Sequence, residues 1–351
     1  MMYPNIKSFP IYWENGMKLS ATHFQHLENS IEDAVRDSRA IGLGAGGAFG
    51  LLPFSPLKIR NAQGATPQSV RVILEACRAV LPGGYRVEIL PENINQLKLP
   101  TQAPYVEFVP ASNVRYHIFL SVNEQRRVPA GIPQTRPIRH PHLSLAYHLE
   151  CIPQDKLSAV RNLAPNRIKI AEWQKGKVVE GYIPPCLTIK GFSLLEKWHQ
   201  FLQNQLVNIV RVSLQVIKEY RRKDVARAAF CTPIVHFIKS SQGYFKWQLP
   251  HQAPINLIAY YGDLAGLVDG LIDTCDRDFV RTMLKDGQAF NLKKSIHELL
   301  KIQMVPTEEM AILLNILQQL SSAILATIQS LITYVPPTPK MGDRNHNIAS
   351  G

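Results

Sequence analysis

The chain of 351 residues is longer than one hydrophobic core of ordinary size requires, so two or more domains are expected. Its apolar fraction of 46% is that of a folded globular protein. It carries 39 basic and 27 acidic residues, and the formal net charge of +12 favours an acidic partner such as nucleic acid, a lipid headgroup surface or an acidic protein face. The alternative is a basic surface that serves only solubility, because the cationic residues form short clusters and no long tract.

The cysteines do not have the pattern of a disulfide framework. All five lie far apart, their number is odd and no CxxC occurs, which favours reduced core thiols in a cytosolic protein. The N-terminus has no apolar run typical of a signal peptide. The most apolar stretch, 310–335, is interrupted by Asn315, Gln318 and Gln319. A membrane span needs about 20 nearly uninterrupted apolar residues, so an amphipathic, buried helix is expected there.

The first half of the chain predicts an extended segment, a helix and then many strands. Residues 1–20 lack a repeat. From Ser20 onward, apolar residues at helical spacing predict a helix that ends in the glycine cluster 42–50. Between 49 and 189, short apolar runs bounded by turn residues predict an antiparallel β-sandwich or barrel. Residues 126–142 are rich in Pro and Arg and predict a long exposed loop. The apolar face of the first helix consists of Phe24, Leu27, Ile31 and Val35.

The second half predicts a helical bundle. An apolar residue recurs every seven positions in a helix of about eight turns, which is the pattern of a bundle or coiled-coil seam. A second helix is expected to begin at Thr232-Pro233, a third after Pro254 and a fourth after Pro306. Pro336-Pro337 ends the last one, and a polar, disordered tail follows. The seam residues predicted to oligomerise the chain are Leu195, Trp198, Leu202, Ile209 and Val216.

The expected fold is therefore multi-domain α+β. Its parts are an N-terminal segment (1–20), a β-sandwich with a leading helix (21–190), a helical bundle (191–336) and a tail (337–351).

Motifs for catalysis are weak. The GLGAGG stretch at 42–47 matches a dinucleotide fingerprint only formally, because no strand precedes it and Pro53 and Pro56 prevent a helix after it. The pairs His23/His26 and His140/His142 lack further ligands at metal-binding intervals. No GxSxG or other nucleophile setting occurs. We therefore expect no enzyme, cofactor or metal. A nucleic-acid-binding protein remains the alternative function on the basis of charge, although no nucleic-acid-binding motif appears.

The N-terminal stretch IYWENGMKLSATHFQHLE resembles the signature of the TssK family, the baseplate subunits of type VI secretion systems. Trp13, Gly16, Met17, Leu19, His23, Phe24 and Gln25 match that signature, whereas Ala21-Thr22 departs from it. The segment GYIPPCLTI at 181–189 is similar to the family's IPPCL segment, which closes its β domain. Phe49-Gly50-Leu51, and Pro254 with 264–267, are weaker matches in the same order.

The resemblance implies an architecture like that of phage receptor-binding proteins, with a β-sandwich shoulder, a helical neck and a C-terminal head, assembled as a homotrimer. The residues after Pro336 are too few for a head domain, so a headless subunit is expected. Contact with the membrane complex would then need a non-standard route. The implied location is cytoplasmic, at the inner-membrane face, and the implied role is that of a structural adaptor.

The resemblance also assigns partners. In the family, the N-terminal segment and the shoulder attach to the wedge proteins TssF and TssG. Large apolar side chains in an extended strip suit such a contact, since they form interface hot spots. The expected anchors are Ile11, Tyr12, Trp13, Met17 and Leu19, and His23, Phe24 and Gln25 are expected to fix the strip against the chain's own shoulder. The alternative is that all of them cover the core of one chain.

Overall fold

The computed structural model of the chain describes residues 8–42, 49–54, 56–90, 103–130, 133–139, 142–157, 166–275, 288–302 and 310–333. The glycine motif at 43–48, His140 and the tail 337–351 lie outside these residues. The described elements are one leading helix, a region of strands and a region of helices. The helices are α1 (Ala21–Gly42), α2 (Ser193–Tyr220), α3 (Val225–Ser240), α4 (Pro254–Thr274), α5 (Gln288–Leu300) and α6 (Met310–Thr333).

The strands form two main antiparallel sheets. They are β1 (Gly50–Leu51), β2 (Lys58–Gln63), β3 (Val70–Val80), β4 (Arg86–Ile89), β5 (Tyr105–Phe108), β6 (Tyr116–Ala130), β7 (Gln134–Thr135), β8 (Ile138–Arg139), β9 (His142–Pro153), β10 (Arg167–Gln174) and β11 (Lys177–Val178). In the first sheet, β3 pairs with β2 and β5 along one half and with β1 and β4 along the other. The second sheet has the order β11-β10-β6-β9.

The two sheets pack face to face through aromatic rings. Phe108 of the first sheet lies 5.2 Å from Trp173 and 4.9 Å from Tyr116, both of the second sheet. The Tyr147 hydroxyl accepts the backbone N–H of Glu88 across the same interface. Edge-on aromatic contacts add to the burial of apolar area, so this cluster fixes how the sheets meet. The expected β-sandwich followed by a helical bundle is confirmed.

Two turns have the backbone conformation that their sequences predict. Between β10 and β11, Lys175 and Gly176 both have positive φ, at 51° and 85°. This is the geometry of a two-residue hairpin turn that follows the twist of the strands. Gly84 ends the β3–β4 turn at φ 82°.

The long helix α2 is the axis of the helical region. Its 28 residues confirm the helix of about eight turns, and α3 and α6 pack along it, with α5 against α6 and α4 between α3 and α5. By length and composition, α4 and α6 could each cross a membrane. In this structure, their apolar sides form part of the core that they share with α2, and α6 has one buried face and one exposed face.

Two sequence-based predictions about elements are wrong, and one helix was missed. Residues 126–142 are not one long loop, because 126–130 continue β6, in which Pro129 pairs with Leu143 of β9, and β7 and β8 pair with each other. The second helix begins at Val225 rather than at Thr232, since Asp224 caps it and burial of Phe230 and Ile234 outweighs the cost of a proline in its interior. Helix α5 was not predicted at all.

Candidate partner-binding surface

The N-terminal strip, residues 8–20, is held to α1 at its two ends by polar contacts. At one end, the backbone N–H of Ser8 donates to Asp33 at 2.7 Å. At the other, the N–H of Ser20 donates to Nδ1 of His23, and the ring of Trp13 meets the His23 ring edge-on at 6.1 Å. These contacts position the strip without burying it.

A turn in the middle of the strip needs its glycine. The N–H of Met17 donates to the carbonyl of Glu14 at 3.2 Å, and Gly16 has φ 85°. Positive φ at the third position of such a turn favours glycine. A side chain at Gly16 would meet no other atom, so the conformation and not the space accounts for the residue. The turn separates Trp13 from Met17.

Helix α1 is attached to the β region through its polar side. Arg36 is buried, pairs with buried Asp33 at 2.9 Å and donates to the Tyr85 hydroxyl at 2.6 Å, with its guanidinium over the Tyr85 ring. Arg39 donates to the carbonyl of Gly84. The opposite, apolar side of the helix carries Phe24, Ile31 and Val35, and all three are exposed. The helix therefore presents its apolar stripe outward.

Three of the five predicted anchors are exposed in the single chain. Tyr12 has 79% of its surface exposed and Trp13 has 45%, and Leu19 and Phe24 are also exposed. Ile11 and Met17 are half-buried, and Gln25 faces solvent. Of the three residues expected to fix the strip, His23 contacts Trp13 and Ser20, and Phe24 and Gln25 are exposed. The exposure of Tyr12, Trp13 and Leu19 favours partner binding over the alternative that these side chains cover the core of their own chain, whereas the half-buried Ile11 and Met17 fit either.

The predicted oligomerisation residues lie elsewhere and are used differently. Leu195, Leu202, Ile209 and Val216 are buried in the core of the single chain, and Trp198 is half-buried against Phe201. A side chain with no exposed surface cannot contact a second copy of the chain, so these four residues form the core of the bundle instead.

A second heptad line on α2 faces solvent. Its alternating spacings of four and three residues are visible in the sequence. The line was not identified there, because the other heptad line of the same helix is more apolar. Two of its members, Val207 and Leu214, are exposed aliphatic residues one heptad apart. The whole line consists of Ser193, Lys197, Gln200, Asn204, Val207, Arg211, Leu214 and Lys218.

The IPPCL segment forms the joint between the two regions. The N–H of Leu51 donates to the carbonyl of Pro185 at 2.8 Å, and the N–H of Leu187 donates to the carbonyl of Leu51 at 2.9 Å. Ile189 then bonds to the carbonyl of Gln252 in the helical region. Cys186 is buried at this joint. The second matched motif therefore has a structural role.

The cysteines are suited to packing and not to chemistry. Burial raises the pKa of the Cys77, Cys151 and Cys231 thiols to about 12. A thiol with so high a pKa provides little thiolate at neutral pH. Among the described residues, no group of three or more His, Cys, Asp or Glu side chains is arranged to hold a metal.

No protein family and no curated protein matches the sequence of this chain. Solved structures do match its fold. A crystal structure of TssK is 15% identical, with a TM-score of 0.56 over 91% of this chain and 72% of the other. A chain of the baseplate complex from the type VI secretion system is also 15% identical, with a TM-score of 0.52 over 91% of this chain and 99% of its own.

A third match is TssK of the EAEC type VI secretion system bound to a nanobody. It is 14% identical, with a TM-score of 0.51 over 85% of this chain and 68% of its own. At such identities, the likeness establishes the fold alone. The chain has the fold of TssK.

Proposed function

We propose that this chain is a non-enzymatic structural subunit of the TssK kind in a type VI secretion baseplate, and that it attaches to wedge proteins of the TssF and TssG kind through its N-terminal strip. The exposed aromatic strip carries this proposal. Tyr12 and Trp13 project from a segment that polar contacts hold in place. A preorganised segment loses little conformational freedom on binding, which favours affinity.

The fold supports the same role. One of the similar solved structures is a TssK-TssF-TssG baseplate subcomplex of a type VI secretion system, 14% identical, with a TM-score of 0.50. The fold alone does not carry function, so the proposal rests on the strip together with its motif. The subunit would act in the cytoplasm at the inner-membrane face.

We further propose a homotrimer about α2. The exposed heptad line with Val207 and Leu214 supplies the contact, because the other line is occupied within the chain. Two aliphatic residues among polar ones make a narrow apolar contact between chains. Such a contact suits subunits that fold separately and then associate. The buried residues of the first line contribute indirectly by keeping α2 straight against α3 and α6.

Co-purification tests the wedge contact. The tagged chain would be isolated from its native cells as wild type and as the Trp13→Ala/Met17→Ala double variant. We expect wedge proteins with the wild type and their loss from a double variant that stays folded and keeps its oligomeric state. The matched control is Val109→Ala/Leu143→Ala, which removes two exposed apolar side chains from the β region. Normal wedge binding by the double variant would disprove the role of the strip.

The same purification tests the family assignment separately. If the wild type brings down nucleic acid in a salt-sensitive manner and no wedge proteins, the alternative of a nucleic-acid-binding protein takes its place.

A further inference from the structure

Two exposed aromatic side chains lie beside the joint between the β region and the helical bundle, and each has a lysine over its ring. Phe54 is 76% exposed, and Nζ of Lys190 lies 6.0 Å from the centre of its ring. Trp247 is 68% exposed, and Nζ of Lys246 lies 4.6 Å from its ring. A single exposed apolar side chain is ordinary, but two exposed rings that each lie near a lysine combine apolar surface with positive charge.

The backbone holds both rings outward. Phe54 has φ 55°, a conformation that bulky residues rarely adopt and that recurs at functional sites. Trp247 belongs to a π-helical turn, Tyr244–Gln248, another feature that recurs at such sites. The turn is fixed from the inside, because Nε2 of buried His199 donates to the carbonyl of Phe245 at 3.0 Å and the two rings stack.

Basic groups connect the two aromatic residues. Nζ of Lys190 donates to Nε2 of His251 at 3.1 Å, and His251 follows Trp247 by four residues, about one helical turn. Since a lysine can only donate, this contact requires an imidazole that is unprotonated at Nε2. Among the described residues, neither Lys190 nor Lys246 forms an ion pair. Burial, and then the nearby carboxylate of Asp263, raise the pKa of Tyr244, and this carboxylate pairs with neither lysine.

We propose that Phe54, Lys190, Lys246, Trp247 and His251, the joint patch, bind an acidic segment of a protein partner. Carboxylates would pair with the two lysines, and the partner's aliphatic carbons and peptide planes would pack on the rings. The proposal does not depend on the proposed wedge contact, which was assigned to the N-terminal strip.

The number of charges favours a protein partner over the other anionic ones. Proteins that hold nucleic acid by its phosphates use roughly 6–10 cationic contacts, and polybasic lipid-binding patches use about 4–8. The joint patch offers two lysines and one histidine. A short acidic segment matches both the charge and the apolar surface.

Photo-cross-linking in native cells tests this. The chain would carry Phe54→p-benzoylphenylalanine, and the cross-linked product would be identified by mass spectrometry. We expect a protein segment with several acidic residues. Its yield should fall about tenfold with Lys190→Gln/Lys246→Gln, because two charge-assisted contacts are lost. The matched control Lys177→Gln/Lys239→Gln changes net charge equally, and it should leave the yield within about twofold.

Four results would overturn the proposal. They are cross-links to nucleic acid or lipid, cross-links to a segment without acidic residues, equal losses in both double variants, and a yield no higher than that of a Val109→p-benzoylphenylalanine control chain.

Discussion

Gly50 lies so close to Pro185 that a Cβ on the glycine would fall 2.1 Å from the proline's carbonyl oxygen. The glycine also has φ 126°, which L side chains rarely adopt. Two segments far apart in the chain thus meet backbone to backbone, and this contact joins the β region to the segment that leads into α2. Strand β1 has only two residues, so its place depends on that approach.

Gly50→Ala should destabilise the protein by about 2–4 kcal/mol, because it combines a steric overlap with an unfavourable backbone conformation. Urea unfolding measures the change. Gly262→Ala is the matched control, since a Cβ at that position in α4 meets nothing within 4 Å. The control should be neutral or stabilise by up to about 1 kcal/mol. Equal effects of the two substitutions would argue against the close approach.

Arg227 connects three helices at the end of the bundle opposite the β region. Only 1% of its surface is exposed, and it pairs with Asp224, stacks on Tyr220 and donates to the carbonyl of Leu331 near the end of α6. Arg227→Met should cost about 3 kcal/mol, because Asp224 and the helix-end carbonyl lose their partner. Hydrogen exchange should speed up most in the last turn of α6.

The control for that substitution is Lys239→Met, at an exposed position of the same helix α3. It should change the free energy of unfolding by less than about 0.5 kcal/mol. If Arg227→Met leaves exchange in α6 unchanged, then Arg227 does not hold that helix end.

Glu107 gives the β region a defined acid sensitivity. Its carboxylate accepts the N–H of Ala65, the hydroxyl of Ser69 and the guanidinium of Arg71, and these contacts lower its pKa from 4.5 to about 2. A pKa that is lower in the folded state stabilises the fold above pH 4.5, and the contribution disappears as the pH falls from 4.5 towards 2.

Glu107→Gln should therefore be less stable than wild type at pH 7, and the difference should shrink below pH 4.5. Urea unfolding between pH 7 and pH 3.5 measures it, with Glu180→Gln, at a largely exposed side chain, as the control. A difference that does not vary with pH would mean that the ionised carboxylate is not what holds the β2–β3 turn.

The two heptad lines of α2 can be separated by mutation. Val207→Asp/Leu214→Asp should convert the proposed trimer to a folded monomer, because the charges would be buried at the seam. Leu202→Ala should instead destabilise each chain by about 2–5 kcal/mol, as expected for a fully buried leucine. Light scattering and thermal unfolding distinguish the two outcomes. A trimer that survives the double substitution would place the contact elsewhere.

Periodicity predicted most of the elements from the sequence. The short apolar runs SVRVILEA and RYHIFLSV lie almost entirely in β3 and β6, and the seven-residue repeat lies in α2. Helix α5 was not predicted, because its charged residues Lys293, Lys294 and Glu298 interrupt its apolar pattern. The helical start at Val225 was missed because Pro233 is a local signal, whereas burial of Phe230 and Ile234 is a tertiary one.

The direction in which side chains face was harder to predict than the elements. The stripe of Phe24, Ile31 and Val35 was correctly placed on one face of α1, but periodicity does not say which side meets the core. Here Asp33 and Arg36 are on the buried side, through an ion pair and a bond to Tyr85 that only the folded chain reveals. Periodicity likewise did not show that the more apolar heptad line of α2 lies in the core of the single chain.

Helix α2 sets a distance. It starts at the joint with the β region, and its last residue, Tyr220, donates its hydroxyl to the carbonyl of Ile332 at the end of α6. At about 1.5 Å per residue, its 28 residues separate these two ends by roughly 40 Å. Partners bound at opposite ends of the helical region would therefore be held apart by a distance that the length of α2 fixes. Removing or adding whole helical turns in the bundle would change that distance.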